Sequence, residues 1–96
     1  MFNKLKQIQE LKSQANQIKK ALAEESVEGS GSWGKVKIIM DGNQEIKKVE
    51  IADELLADKA KLEGAILEAG NDAIKKVQKV MAQKMSQLGG LPGLGL

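Results

Sequence analysis

Apolar residues recur at Ile8, Leu11, Ala15, Ile18 and Leu22. This 3-4-3-4 spacing is the a/d seam of a heptad. The segment 1–25 has no Gly or Pro and almost no β-branched residues, so it predicts a helix of about 36 Å. The stripe is narrow, with Gln, Asn and Lys on the other faces. Such a helix is longer than a small domain is wide, so part of it should project.

The period then changes to two. "KVKIIM" places Val36, Ile38 and Met40 on one face, and "KKVEI" places Val49 and Ile51 on one face with Lys48 and Glu50 on the other. "DGNQ" (Asp41–Gln44) between them has hairpin chemistry, because Asp-Gly tolerates positive φ. Upstream, Val27–Glu28 can form a short strand that "GSGS" turns into the next. The prediction is a three-stranded antiparallel meander.

From Asp53 onward the pattern is helical again, with a break near Ala57–Asp58 and Asp53 and Asp58 as expected N-caps. The long part, 59–88, would span about 45 Å. It carries two overlapping apolar stripes. One is Leu62, Ile66, Ala69, Ala73, Val77 and Val80; the other is Leu67, Gly70, Ile74, Val77, Met81, Met85 and Leu88. One can cover the sheet. The second needs another surface, either the first helix or a partner chain. Residues 89–96 form a Gly/Leu tail whose composition predicts disorder.

The domain reading is therefore a single unit over 1–88 followed by a flexible tail. The fold class is α+β in the order α-β-β-β-α, with a short helix before the long one. At 96 residues the core should be thin unless the chain assembles with itself. The residues expected to carry dimerisation are Ile66, Ile74, Val77, Val80 and Met81.

Charge is segregated. Net charge is +2, but residues 1–23 carry a balance of +4, residues 24–58 a balance of −5 and residues 59–96 a balance of +3. Every cation is lysine, so bidentate arginine readout of guanine is excluded. There is no Cys and no His. This removes thiol nucleophiles, disulfides, the usual zinc ligands and the commonest general base. One Trp and one Phe, with no Tyr, leave no stacking platform for single-stranded nucleic acid. Neither a signal peptide nor a membrane span is legible, so a soluble, intracellular protein is expected.

"GSGSWGKV" (Gly29–Val36) spells G-x-G-x-x-G-x-V, the form of a dinucleotide fingerprint or a kinase glycine loop. The first needs a helix after the glycines, and here a strand follows. The second needs a strand lysine, a helix glutamate and metal-binding acids, none of which is arranged here. The stretch reads as a flexible hairpin turn with glycines for positive φ, and no nucleotide cofactor is expected. Trp33 is the odd residue in it. It belongs partly buried against a helix or partner, the alternative being exposure at the loop tip with a ligand contact. The pairs Asp53/Glu54 and Asp41/Glu45 read as a cap and a turn, and Asn71–Asp72 as a solvated face or polar helix contact. No catalytic constellation or metal site emerges, and the protein is not expected to be an enzyme.

Beyond the single motifs, an ordered set stands out: Val27/Gly29, Val36-Lys37-Ile38, Asp41-Gly42, Lys47-Lys48-Val49-Glu50-Ile51, Leu55-Leu56, Asn71-Asp72-Ala73 and Lys84-Met85. In order and spacing it resembles the YbaB/EbfC family of nucleoid-associated proteins. Ala52-Asp53 departs from the family's usual Asp-Pro, and Trp33 stands in a loop usually filled by small residues. The resemblance implies a homodimer with projecting helical arms. It also implies binding to duplex DNA with little or modest sequence preference, a role in nucleoid organisation or gene expression, and a cytoplasmic, nucleoid location. Lys4, Lys6, Lys12, Lys19, Lys75, Lys76, Lys79 and Lys84 are the expected phosphate contacts. Gln7, Gln14 and Gln17 are weaker candidates for base edges. The rival expectation is a coiled-coil interaction module whose DNA binding is incidental.

Overall fold

The computed structural model describes residues 2–87, with side chains from residue 5 onward. The predicted 89–96 tail, Leu88 and the side chain of Lys4 lie outside the described residues. The elements are α1 (Phe2–Ala23), β1 (Ser26–Gly31), β2 (Val36–Asp41), β3 (Ile46–Ile51), a short 3-10 helix (Asp53–Ala57) and α2 (Lys59–Gln87). The strands form one antiparallel sheet in the order β1-β2-β3. The predicted α-β-β-β-α order is therefore the observed one.

Cross-strand partners share a face of a sheet. Gly31, Val36 and Ile51 are in register, as are Gly29, Ile38 and Val49, and Val27, Met40 and Ile46. These residues form the face that α2 covers. Helix α2 presents Ala65, Ala69, Ala73 and Val77, spaced four apart, and these pack with Val36, Ile38, Met40 and Leu55 into the core. Val36 and Val77 are wholly inaccessible, each contributing about 1.5–3 kcal/mol of burial. Leu62 and Met81 pack at the margin of this cluster. Ala65 belongs to neither predicted stripe, although it stands four residues before Ala69 on the same face of α2.

The glycine-rich stretch differs from its prediction. Gly29 and Gly31 belong to strand β1, and neither has positive φ. A Cβ on Gly29 would collide with the Ala69 carbonyl and Ala73 nitrogen and lie 2.6 Å from the Ala73 Cβ. One on Gly31 would collide with the Ala65 carbonyl. These glycines let the alanine face of α2 sit directly on the backbone of β1. The turn lies later, at 32–35. There Ser32, Trp33 and Gly34 all have positive φ (51°, 60° and 86°), and the Lys35 N–H donates to the Ser32 carbonyl at 3.2 Å.

The second turn has a similar correction. Positive φ falls on Gln44, not on Gly42. The buried Asp41 carboxylate shapes the turn by accepting N–H bonds from Asn43 (2.9 Å) and Glu45 (3.0 Å), an Asx arrangement. Gly42 is small because α1 ends against it, with a substituted Cβ 2.6 Å from the Leu22 carbonyl oxygen. That oxygen accepts N–H bonds from Gly42 (2.8 Å) and Glu25 (3.1 Å). Leu22 is buried, while Leu5, Ile8 and Leu11 are exposed. Helix α1 is thus fastened at its C-terminal end, and the seam positions Ile8, Leu11 and Ala15 are uncovered. The Asp58 carboxylate accepts the Lys61 N–H at 3.1 Å and caps α2 as predicted. Asp53 does not cap the 3-10 helix, whose first flanking residue is Ala52.

Candidate functional site

A single helix about 10 Å across cannot cover three strands spaced about 4.8 Å apart. Helix α2 lies toward β1 and β2, where the glycines admit it. β3 is left bare, and all six of its residues are exposed. Ile46, Val49 and Ile51 therefore face the covered side of the sheet without being covered. On α2, Asp72 and Lys76 reach β1, whereas Gly70 points toward the Ile38 side chain. The flank bearing Ile66, Gly70 and Ile74 hence looks toward β3, with Ile66 and Ile74 partly exposed. An apolar strip runs between that flank and β3.

Of the residues expected to dimerise, Ile66 and Ile74 line this strip. Val80 and Met81 are half-buried. Val77 is spent on the chain's own core. Sequence reasoning paired Val49 with Ile51 but did not find the strip. The available signal was the mismatch in width between three strands and one helix.

The lysines divide into two kinds. Lys6, Lys12 and Lys19 on α1, and Lys75 and Lys79 on α2, are exposed and make no ion pair among the described residues. Lys12 and Lys19, seven positions apart, share one flank of the α1 seam. Lys76 and Lys84 are engaged inside the chain. Lys76 donates to the Glu28 carbonyl at 2.7 Å and pairs with Asp72 at 3.1 Å. Lys84 pairs with Glu25 at 2.9 Å and so ties α2 to the end of α1.

Asp72 in turn accepts the Ser30 N–H at 3.0 Å. That bond, followed by Lys76, holds its carboxyl below the usual aspartate range. The mid-helix Asn-Asp pair is therefore a polar helix contact in its Asp72 member, while Asn71 is exposed.

The G-x-G-x-x-G spelling offers no cradle for phosphate. Two of its glycines are pressed beneath α2, where an anion would have to displace the helix. Trp33 is fully exposed at the tip of the following turn. The hollow beside it mixes Lys35 and Lys61 with Glu54, Asp58 and Glu68, with no convergent set of one charge. Among the described residues, no group of three His, Cys, Asp or Glu could hold a metal ion. No helix among them is long and apolar enough to cross a membrane.

Comparison with known proteins gives these surfaces a context. Residues 1–91 match the YbaB/EbfC DNA-binding family. The chain is 34% identical over 99 residues to a nucleoid-associated protein of Pelotomaculum thermopropionicum, covering 98% of this chain and 94% of that one. It is 36% identical over 97 residues to one of Hahella chejuensis, covering 100% and 88% respectively. The crystal structure of an uncharacterized protein from Helicobacter pylori superposes with a TM-score of 0.69 at 21% identity, over 84% of this chain and 96% of that one. At that identity the likeness is one of fold alone. With the ordered motifs, the α-β-β-β-α architecture and both relatives in agreement along nearly the whole sequence, the chain belongs to the YbaB/EbfC DNA-binding family.

Proposed function

We propose that the protein is a non-enzymatic, nucleoid-associated homodimer that binds duplex DNA through phosphate contacts from its helices, with low or modest sequence preference. The observation that carries this reading is the set of exposed lysines on α1 and α2 without acidic partners among the described residues, in a member of a family described as DNA-binding. Lys6, Lys12, Lys19, Lys75 and Lys79 are the phosphate contacts we favour. Lys4 rests on the sequence pattern alone. Lys76 and Lys84 hold structural pairs, so they would reach phosphate only by leaving them.

The dimer reading is supported by the uncovered strip of Ile46, Val49, Ile51, Ile66 and Ile74. Contiguous apolar surface of this kind marks an interface more often than free surface. Nucleoid organisation or gene expression follows as the role, and the bacterial nucleoid as the location.

Fluorescence anisotropy on unrelated duplexes at stepped salt tests the binding mode. With about five phosphates contacted, log K against log salt should fall with a slope of roughly −4.5. Equal affinity at low and high salt would end the phosphate-contact reading. The exposed seam residues Ile8 and Leu11 favour the rival, a coiled-coil interaction module. A gel shift on duplex DNA at near-physiological salt separates the two.

A further inference from the structure

The flank of α2 that meets the outer edge of β1 carries Glu68, Asp72 and Lys76, spaced four apart. Lys76 donates to the Glu28 carbonyl, and the Asp72 carboxylate accepts the Ser30 N–H. Four residues of helix advance about 6 Å and two residues of strand about 6.6 Å. Helix and strand run in opposite directions, so the next pairing in the row sets Glu68 against Ser32. Glu68 is exposed there and makes no ion pair among the described residues. Of the three charges in the row, it alone has no partner.

A hollow of about 420 Å³ opens at this point, lined by Ser30, Ser32, Trp33 and Glu68. Its only charge is the Glu68 carboxylate, and one wall is an indole. The larger hollow on the same tip differs, because there Lys35 is already paired with Glu54 at 3.3 Å. Trp33 is fully accessible and has φ of 60°, a left-handed backbone that is costly for any residue but glycine. Its indole gains no burial within the chain in return. Strain held without a packing gain points to a contact outside the chain, and Trp is among the residue types most enriched at the energetic centres of protein interfaces.

A planar guanidinium suits both walls of this hollow. It stacks on an indole face and forms paired N–H···O bonds with a carboxylate. A phosphate does not suit it, because the charge it would meet is negative. A small cation would leave most of the open indole in water, whereas a protein chain would cover it.

We propose that the Trp33 turn is a docking site for an arginine-bearing segment of another protein, with the guanidinium lying on the indole and paired with Glu68. The Ser30 and Ser32 hydroxyls can accept its remaining N–H groups. The site stands at one end of β2 and the Gly42–Leu22 joint of α1 at the other, with six residues, about 20 Å, between them. Docking there does not compete for that joint.

Trp33 is the only tryptophan in the chain, so its emission reports on this turn alone. Titration with a peptide of alternating arginine and glycine should change that emission saturably, and a peptide of alternating glutamate and glycine should not. Fluorescence anisotropy of the labelled arginine peptide compares variants. Trp33→Ala, which keeps a side chain on the left-handed residue, should weaken binding about fivefold, and Glu68→Gln about threefold. Glu63→Gln, which removes the same charge elsewhere on α2, should leave affinity unchanged. Because both groups hold one guanidinium, Glu68→Gln should cost little once Trp33 is alanine. Both side chains are exposed, and circular dichroism confirms that the variants fold. Unchanged emission at saturation, or equal losses for Glu63→Gln and Glu68→Gln, would show that diffuse charge holds the peptide and would overturn the site. Spermidine binding as tightly as the peptide, with the same dependence on Trp33, would overturn the protein partner in favour of a small cation. Loss of affinity for duplex DNA in Trp33→Ala, with peptide binding intact, would make the turn a DNA contact and overturn the proposal.

Discussion

Replacing Gly29 with alanine puts the contact between α2 and β1 to a quantitative test. The added methyl would lie 2.6 Å from the Ala73 Cβ and would also meet the Ala69 carbonyl and Ala73 nitrogen. The last two are helix backbone, so no side-chain rotation relieves the clash and α2 must lift from the sheet. Overpacking of a tight core costs about 1–3 kcal/mol, and rigid neighbours place this case at the upper end. The reduced freedom of the unfolded chain offsets about 0.4–1 kcal/mol. The expected net loss is about 2 kcal/mol, a sizeable share of the roughly 5–14 kcal/mol typical of a domain this size.

In urea, with a slope of about 1–1.5 kcal/mol/M, the midpoint should fall by about 1–2 M. Far-UV circular dichroism at fixed protein concentration is the appropriate probe, because the proposed self-association would make stability concentration-dependent. Gly64→Ala is the internal control. Gly64 lies in the interior of α2, and a methyl placed there would have nothing within 4 Å. Alanine at this position should therefore raise stability by about 1 kcal/mol through helix propensity alone. A Gly29→Ala midpoint equal to or above the unmodified protein's would show that the glycine does not set the distance between helix and strand.

Other substitutions should separate roles that look alike in sequence. Replacing Lys75 and Lys79 with glutamine should weaken DNA binding uniformly across duplexes, lower the salt slope by about one for each phosphate no longer neutralised, and leave the urea midpoint unchanged. Lys84→Gln should lower the midpoint by breaking the pair with Glu25, and Lys35→Gln with Lys37→Gln should change DNA affinity little. Trp33→Gly should raise stability by up to about 1 kcal/mol, as measured by urea denaturation, because the exposed indole holds a left-handed backbone that glycine adopts freely. Asp41 has its pKa lowered by the Glu45 N–H bond first, with Asn43 and Lys47 adding to it. Its stabilisation is present above the unfolded aspartate value of about 3.9 and lost as pH falls through the lower folded value. Midpoints at pH 6 and pH 3 should therefore differ less in Asp41→Asn than in the unmodified protein.

Element order and type were readable because each has its own period. The heptad of α1, the alternation around Val36–Met40 and the long stripe on α2 each exclude the other secondary structure. The cap at Asp58 and the break before it were readable from local chemistry. Close approach was not. Gly29, Gly31 and Gly42 look like turn glycines in sequence, yet they admit a helix backbone, a demand that exists only once two distant segments are in contact. Ala65 was missed because its role, backing onto Gly31, is likewise a contact between distant segments. Trp33 was expected partly buried and is fully exposed, because three consecutive left-handed residues carry it beyond the edge of the body. The lysines could be read as a cluster, but which of them α2 needs for its own contacts with Glu28, Asp72 and Glu25 depends on pairings across the fold.

The joint at Leu22 acts mechanically as the fulcrum of a lever. One carbonyl shared between two N–H donors, a glycine beneath it and the Lys84–Glu25 pair hold one end of a 22-residue rod. That rod is about 33 Å long, so a rotation of about 10° at the fulcrum sweeps its far end through about 6 Å. This is comparable to the distance between successive phosphates along a DNA strand. Lys6 stands 16 residues, or about 24 Å, from Leu22, so the same rotation would move it through about 4 Å while the sheet stays still. If it contacts phosphate as proposed, its reach is set at a single peptide group far from the charge.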